Sequence, residues 1–314
     1  MSSELRQKLC FLRDQVVPPL NLKDYAGTVL PSRFDDYKDR IENFEVRDDD
    51  IWVASFPKSG TTWTQEMVWL VVNNCDYEGA KELLELRYGF IELLGIISSM
   101  VEDVEYVTPD PVHKLDNTTG RRFIKTHLPW DLLPLQIRNG TKKPKIIYVI
   151  RDVKDVVVSW FHHAKVFKET ATDLHEFFKL FLTDNYKYSP YWGNILSFWN
   201  NRHLPNILIL QYEDMIRDLP SVIHKTASFL ETSVPEEKME KLLRHLSFGE
   251  MKKNAAVNME RLTELFNKDV DDKTSFIRKG KVGGYKEELT REMVELLDLW
   301  SKMNTEGTEF RCNI

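Results

Sequence analysis

The sequence predicts an α/β protein with a central parallel sheet flanked by helices, and three observations carry that expectation. Short apolar runs alternate along the chain with helical patterns, as in doubly wound sheets. Three of the runs are continuously apolar rather than alternating, as strands buried on both faces require. No apolar run approaches the roughly 20 residues of a membrane span.

The elements follow in order. Residues 1–50 are mixed and polar, with few periodic features. The first strand is IWVASF (51–56), and Trp63, Met67, Leu70 and Val71 then mark one face of a helix. Thr62, with Gln65 three positions on, reads as a capping box for that helix. RRFIKTH (121–127) is the weakest strand of the set, and KIIYVI (145–150) the third. Val153, Val156, Val157, Trp160 and Phe161 form the next helical face. A further helix is expected over 173–186, a strand at NILILQY (206–212), and helices over 220–231, 236–246 and 290–303.

With 314 residues, 42% hydrophobic and 29% charged, the chain has material for one large α/β domain or two smaller ones. A net charge of −6 argues against a general nucleic-acid binder but leaves room for a local cationic site that takes a small anion. The opening MSSELRQKLCFLRDQ is charged throughout and lacks the apolar core of a signal peptide. Cys10, Cys75 and Cys312 are an odd, sparse set that suits reduced thiols. These features point to a cytoplasmic protein with no membrane partner.

Ligands bind outside the carboxyl ends of the strands in such sheets. The first strand runs into Pro57-Lys58-Ser59-Gly60-Thr61-Thr62, the second closes on Lys125-Thr126-His127, the third meets Arg151-Asp152 and the fourth Gln211-Tyr212-Glu213. Parallel strands would bring these cations, the histidine and the tyrosine to one rim. A loop entering a helix offers backbone N–H groups and the positive end of the helix dipole to a phosphate. Gly60 lets the backbone approach, the hydroxyls of Ser59, Thr61 and Thr62 add donors, and Lys58 adds charge. The order differs from the Walker loop, because the lysine precedes the glycine. Nothing in it requires a bound metal. His127, two residues from Lys125 in an extended segment, shares its side, so a base sits beside a cation. Arg151 is either paired with Asp152 or Asp155 or holds a phosphate with Ser159. SFIRKGKVGGYK (275–286), with four cations and three glycines, is either a solvated turn or a mobile clamp over a polyanion.

FPKSGTTW, KTHLP, IYVIRD followed by VVVSW, LQYEDM and FIRKG, in this order across 51–286, resemble the cytosolic sulfotransferases. The resemblance implies one α/β domain over 1–314 and a P-loop-like phosphosulfate-binding loop. It also implies the donor 3′-phosphoadenosine 5′-phosphosulfate (PAPS), with 3′-phosphoadenosine 5′-phosphate (PAP) as product. The sulfonate would pass in line to a hydroxyl or amine of a small, mostly apolar acceptor such as a phenol or steroid. By the same resemblance, residues 58–63 hold the 5′-phosphosulfate, with Trp63 stacked on adenine. Arg151, Ser159, Arg278, Lys279 and Gly280 take the 3′-phosphate, and Tyr212 contacts the nucleotide. His127 is the base, and Lys58 and Lys125 stabilise the transferring group.

The chain departs from the family pattern in places. His245-Leu246-Ser247-Phe248 replaces the usual HTSF, losing one hydroxyl but keeping Ser247 and Phe248 at the nucleotide. Gly283-Gly284-Tyr285 replaces Gly-Asp-Trp, and Arg291 stands where the family's dimer motif has valine, so a monomer or weak homodimer is expected. Residues 84–106 are expected to form part of the acceptor wall, with Phe34 and Phe90 as candidates. A nucleotide-dependent phosphotransferase and a non-catalytic nucleotide-binding protein are the competing readings.

Overall fold

In the computed structural model, the described residues are 21–97, 110–167, 173–259 and 277–310, together with Gln7, Glu169 and Thr263. Cys10, Cys312, the 98–106 part of the expected wall and the first two residues of the basic segment lie outside them.

Five parallel strands form the main sheet, in the order β4-β5-β3-β6-β7. They are β3 (Ile51–Ser55), β4 (Gly89–Phe90), β5 (Phe123–Thr126), β6 (Lys145–Ile150) and β7 (Ile207–Gln211). Four were expected from their apolar runs. The fifth, β4, is two residues long, and Gly89 there pairs with Ile124 of β5. Side chains alternate across the central strand. Trp52 and Ala54 enter one core with Tyr148 and Ile150. Ile51 and Val53 enter the other with Ile147 and Val149. Both faces are therefore buried, which is why these strands read as unbroken apolar runs.

Helix α1 (Thr61–Val72) follows β3 and helix α2 (Val153–Val166) follows β6. Asp152 caps α2 by accepting from the Lys154 N–H. The expected capping box at Thr62 does not form. Gly60, with φ of 104°, is the N-cap, its helix start carries no side-chain cap, and Thr62 already lies inside the helix. The expected helices at 173–186, 220–231, 236–246 and 290–303 are found at Leu174–Leu182, Leu219–Phe229, Glu236–His245 and, as α3, Arg291–Thr305. Before the sheet, β1 (Leu22–Tyr25) and β2 (Thr28–Pro31) form an antiparallel hairpin. Its two loop residues, Ala26 and Gly27, have φ of 51° and 82°, which suits the right-handed twist of the strands.

Register decides where the chemistry lies. Ala54 is level with Thr126 on one side, and Ser55 is level with Val149 on the other. The loop after β3, His127, Arg151 and Tyr212 therefore leave the sheet along one rim.

Candidate active site

That rim opens into a cavity of about 1660 Å³. Of the residues expected to form the site, Lys58, Gly60, Thr61, Thr62, Trp63, Lys125, His127, Arg151, Ser159, Tyr212, Ser247, Phe248, Arg278, Lys279 and Gly280 all line it. Ser59 does not line it but is wholly buried in the same loop.

The loop between β3 and α1 is shaped for a close backbone approach. Lys58 has φ of 68° and Gly60 of 104°, both in the left-handed region. A Cβ on Gly60 would stand 2.6 Å from Cδ2 of Tyr212, so only glycine fits beneath that ring. The Thr61 and Ser55 hydroxyls are 2.6 Å apart, which turns Thr61 inward. Among the described residues the buried Ser59 hydroxyl has no hydrogen-bond partner, and a buried polar group of that kind calls for one. A phosphate oxygen at the N-terminus of α1 would supply it, so this loop fits a phosphorylated ligand.

The wall beside this loop continues from Trp63. Its indole N–H donates to the carbonyl of Leu246 at 2.9 Å, and its ring meets Tyr212 edge-on at 5.6 Å. Arg151 lies 4.2 Å over the Tyr212 ring. Its guanidinium donates to the carbonyls of Lys58 and Lys281, each at 3.1 Å, and Asp155 is 3.9 Å away. The buried carboxylate of Asp155 accepts instead from the N–H groups of Gly283 and Tyr285, at 2.8 and 3.0 Å. The basic loop is thus fastened to α2 through its backbone. Phe248 packs on Gly280, where an added Cβ would lie 2.2 Å from its ring. Ser247 caps the short helix Phe248–Lys253.

His127 stands at the end of β5, and its supports come from distant parts of the chain. Nδ1 lies 2.7 Å from the carbonyl oxygen of Ser55. A carbonyl only accepts, so Nδ1 carries the proton and Nε2 is the basic nitrogen. Phe90 and Tyr188 meet the imidazole edge-on at 5.3 and 5.6 Å. Asn194 holds its carbonyl at 2.9 Å. Glu92, fully buried, accepts from the His127 N–H at 2.5 Å, the Thr126 hydroxyl at 2.9 Å and the Tyr188 hydroxyl at 3.3 Å. Sequence reasoning missed Glu92, Tyr188 and Asn194, and named Asp155 only as a partner of Arg151, because no motif spacing links these residues to the groups they hold. Of the two candidate wall residues, Phe90 lines the cavity, and Lys125 Nζ sits 4.0 Å from its ring. Phe34 is core, only 1% exposed.

The electrostatics describe a site short of negative charge. Burial, then Lys125 and Arg151, bring Lys58 down to about 7. Burial brings Lys125 down to about 8 against the pull of Glu92. Burial and Lys125 hold His127 well below the ordinary histidine value, so it is neutral at physiological pH. Burial pushes Glu92 up to about 7, opposed by the His127 N–H and the Thr126 hydroxyl. An anion set among these groups would relieve mutual repulsion between cations. The arrangement can hold phosphates at one end and accept a proton at Nε2 of His127.

A family model described as "Sulfotransferase domain" matches residues 48–309. The chain is 43% identical over 291 residues to luciferin sulfotransferase of Photinus pyralis, covering 90% of this chain and 79% of that one. It is 36% identical over 300 residues to sulfotransferase 1 family member D1 of Mus musculus, covering 93% and 96%. Among solved structures, retinol dehydratase in a complex with retinol and PAP superposes with a TM-score of 0.83 at 31% identity, over 99% of this chain and 97% of that one. Mouse sulfotransferase SULT7A1 complexed with PAP does so at 0.70 and 26% identity, over 92% and 95%. A loop that fits a phosphate, a neutral histidine sharing its cavity with two lysines and these matches lead to one conclusion: the chain belongs to the sulfotransferase family and transfers a sulfonate group from PAPS to small-molecule acceptors.

Proposed function

We propose that His127 is the general base of this transfer and that the acceptor is a hydroxyl or amine of a small, mostly apolar molecule such as a phenol or steroid. The observation that carries the reading is the Nδ1 bond to Ser55, which leaves Nε2 as the proton acceptor inside a cavity also lined by Lys58 and Lys125. PAPS, when bound, supplies a sulfonate on a phosphate leaving group. Residues 58–63 hold its 5′ end through backbone N–H groups and the Ser59 hydroxyl, and Trp63 and Tyr212 flank the base. Arg151, Ser159, Arg278, Lys279 and Gly280 receive the 3′-phosphate. Lys58 and Lys125 oppose charge that grows only as the transfer proceeds, the kind of interaction that raises turnover. Phe90, Leu93, Ile96, Val166 and Phe167 give the cavity apolar walls for the acceptor. A solved relative in complex with androsterone supports an acceptor of this character.

Residues 1–314 form one domain in this reading. The same reading makes the protein cytoplasmic, as the resemblance to the cytosolic sulfotransferases implies. Among the described residues no helix is long and apolar enough to cross a membrane. It is a monomer or weak homodimer. Arg291 on α3 is 92% exposed and pairs with Glu295 of its own chain at 2.8 Å, so it brings charge and no apolar contact to a two-fold surface.

The test is His127→Ala. Turnover should fall by ~10²–10⁴-fold, while the dissociation constant for PAP stays within about twofold because this reading gives the imidazole no phosphate contact. Near-normal turnover would remove His127 from the chemistry. A screen of phenols, steroids, catecholamines and aliphatic alcohols with labelled donor identifies the acceptor.

A further inference from the structure

Three basic side chains that line the cavity converge on one carboxylate outside its lining. Glu288 Oε1 lies 2.7 Å from Nη1 of Arg278 and 3.2 Å from Nζ of Lys279. Its Oε2 lies 2.5 Å from Nε2 of His162. Arg278 and Lys279 belong to the basic loop, whereas His162 is on α2, one turn beyond Ser159. Glu287 adds a second contact to Lys279 at 2.7 Å. Against the upward pull of burial, His162 and Arg278 hold Glu288 down to about 2, so it is ionised throughout the working range. Arginine has five donors and lysine three, so groups remaining on both can address a ligand while Glu288 orients them.

We propose that Glu288 is a positioning residue for the 3′-phosphate subsite: it gathers Arg278, Lys279 and His162 behind the cavity wall and fixes the basic loop against α2. This rests on the assignment of Arg278–Gly280 to the 3′-phosphate. Long cationic side chains lose rotamer freedom when they meet a phosphate. Glu288 imposes that ordering before the ligand arrives, so less affinity is lost to it.

Calorimetry on the full-length protein with two nucleotides tests this, PAP and adenosine 5′-monophosphate, which lacks the 3′-phosphate. Glu288→Ala should weaken PAP about tenfold and Glu288→Gln about threefold, with Glu288→Asp between Gln and the parent. All three should leave adenosine 5′-monophosphate within about twofold, raise the donor KM in step and leave kcat at saturating donor within about twofold. Thermal melting checks folding, and the isosteric Glu288→Gln carries the test if the alanine variant does not fold. Equal losses on both nucleotides would mean a merely structural role and overturn the proposal. Unchanged or tightened PAP binding would overturn it too, the latter marking Glu288 as a competitor of the phosphate. Arg278→Ala separates the two levels. If it abolishes discrimination between the nucleotides while Glu288→Ala leaves discrimination at the parent's level, only the role of Glu288 fails. If Arg278→Ala also keeps discrimination, the phosphate assignment fails and the proposal falls with it.

Discussion

Binding of PAP at pH 8 should draw a proton out of the buffer, and Lys58→Met should remove most of that uptake. In the free protein, burial together with Lys125 and Arg151 places Lys58 near 7. At pH 8 about nine-tenths of these amines are therefore neutral. Phosphate oxygens beside the amine favour its charged form and raise its pKa well above 8. The bound state should then hold roughly 0.9 proton more at Lys58 alone, from the one-unit gap between pH and pKa. Lys125, near 8 in the free protein, is about half protonated and adds at most ~0.5. The assay is titration calorimetry at pH 8 in buffers of different ionisation enthalpy, where the slope of observed heat against that enthalpy counts protons. The sign gives a second reading. Binding that takes up a proton weakens as pH rises, so between pH 7 and 9 the PAP dissociation constant should climb, with Lys58 alone approaching tenfold per unit and Lys125 steepening the rise. A wild-type slope below ~0.2 proton, or the same slope in Lys58→Met, would refute the depressed lysine.

Three further outcomes follow from the geometry. Gly60→Ala forces a Cβ toward Tyr212 at a left-handed φ and should weaken PAP by about tenfold or more, from ~1–2 kcal/mol of backbone strain plus the clash; an unchanged dissociation constant by calorimetry would show that the loop relaxes freely. Arg122 clasps Asp50 with two bonds, at 2.7 and 2.6 Å, and both side chains are fully buried. Arg122→Ala should cost about 3–5 kcal/mol in urea unfolding, because the buried Asp50 carboxylate is left without its partner, and a loss under ~1 kcal/mol would contradict this. Sedimentation at micromolar concentration should find a monomer or a weak dimer that Arg291→Val strengthens; a tight dimer surviving moderate salt would sink the reading.

The parts of the fold that were legible are those whose burial is written into neighbouring residues. Strands β3, β6 and β7 announced themselves because both faces are covered, and α2 because its apolar positions recur at helical spacing. β4 did not, since two residues carry no period. The β1–β2 hairpin was hidden because its turn is Ala26-Gly27 rather than a pair with a strong turn preference. The site divides along the same line. Lys58, Lys125, His127 and Arg151 sit where strands end, and a parallel sheet brings such ends together. Their partners are set by contacts between segments remote in sequence. Glu92 reaches His127 across 35 positions and Glu213 reaches the Asp152 N–H across 61. The capping box at Thr62 failed for a local reason: Gly60 supplies the turn into α1 with its backbone, so no side chain is needed there.

The bond from Trp63 to position 246 has a consequence for how this site can drift over time. What position 246 gives the indole is its carbonyl oxygen, and every amino acid owns one. The side chain, completely buried, points into the second core with Met251 and Leu242. The two demands are thus written in different alphabets. One is spelled by the chain itself and survives any replacement that preserves the path. The other asks only for something apolar of suitable bulk. A leucine can stand where relatives of the family have a hydroxyl, and the aromatic platform keeps its tether.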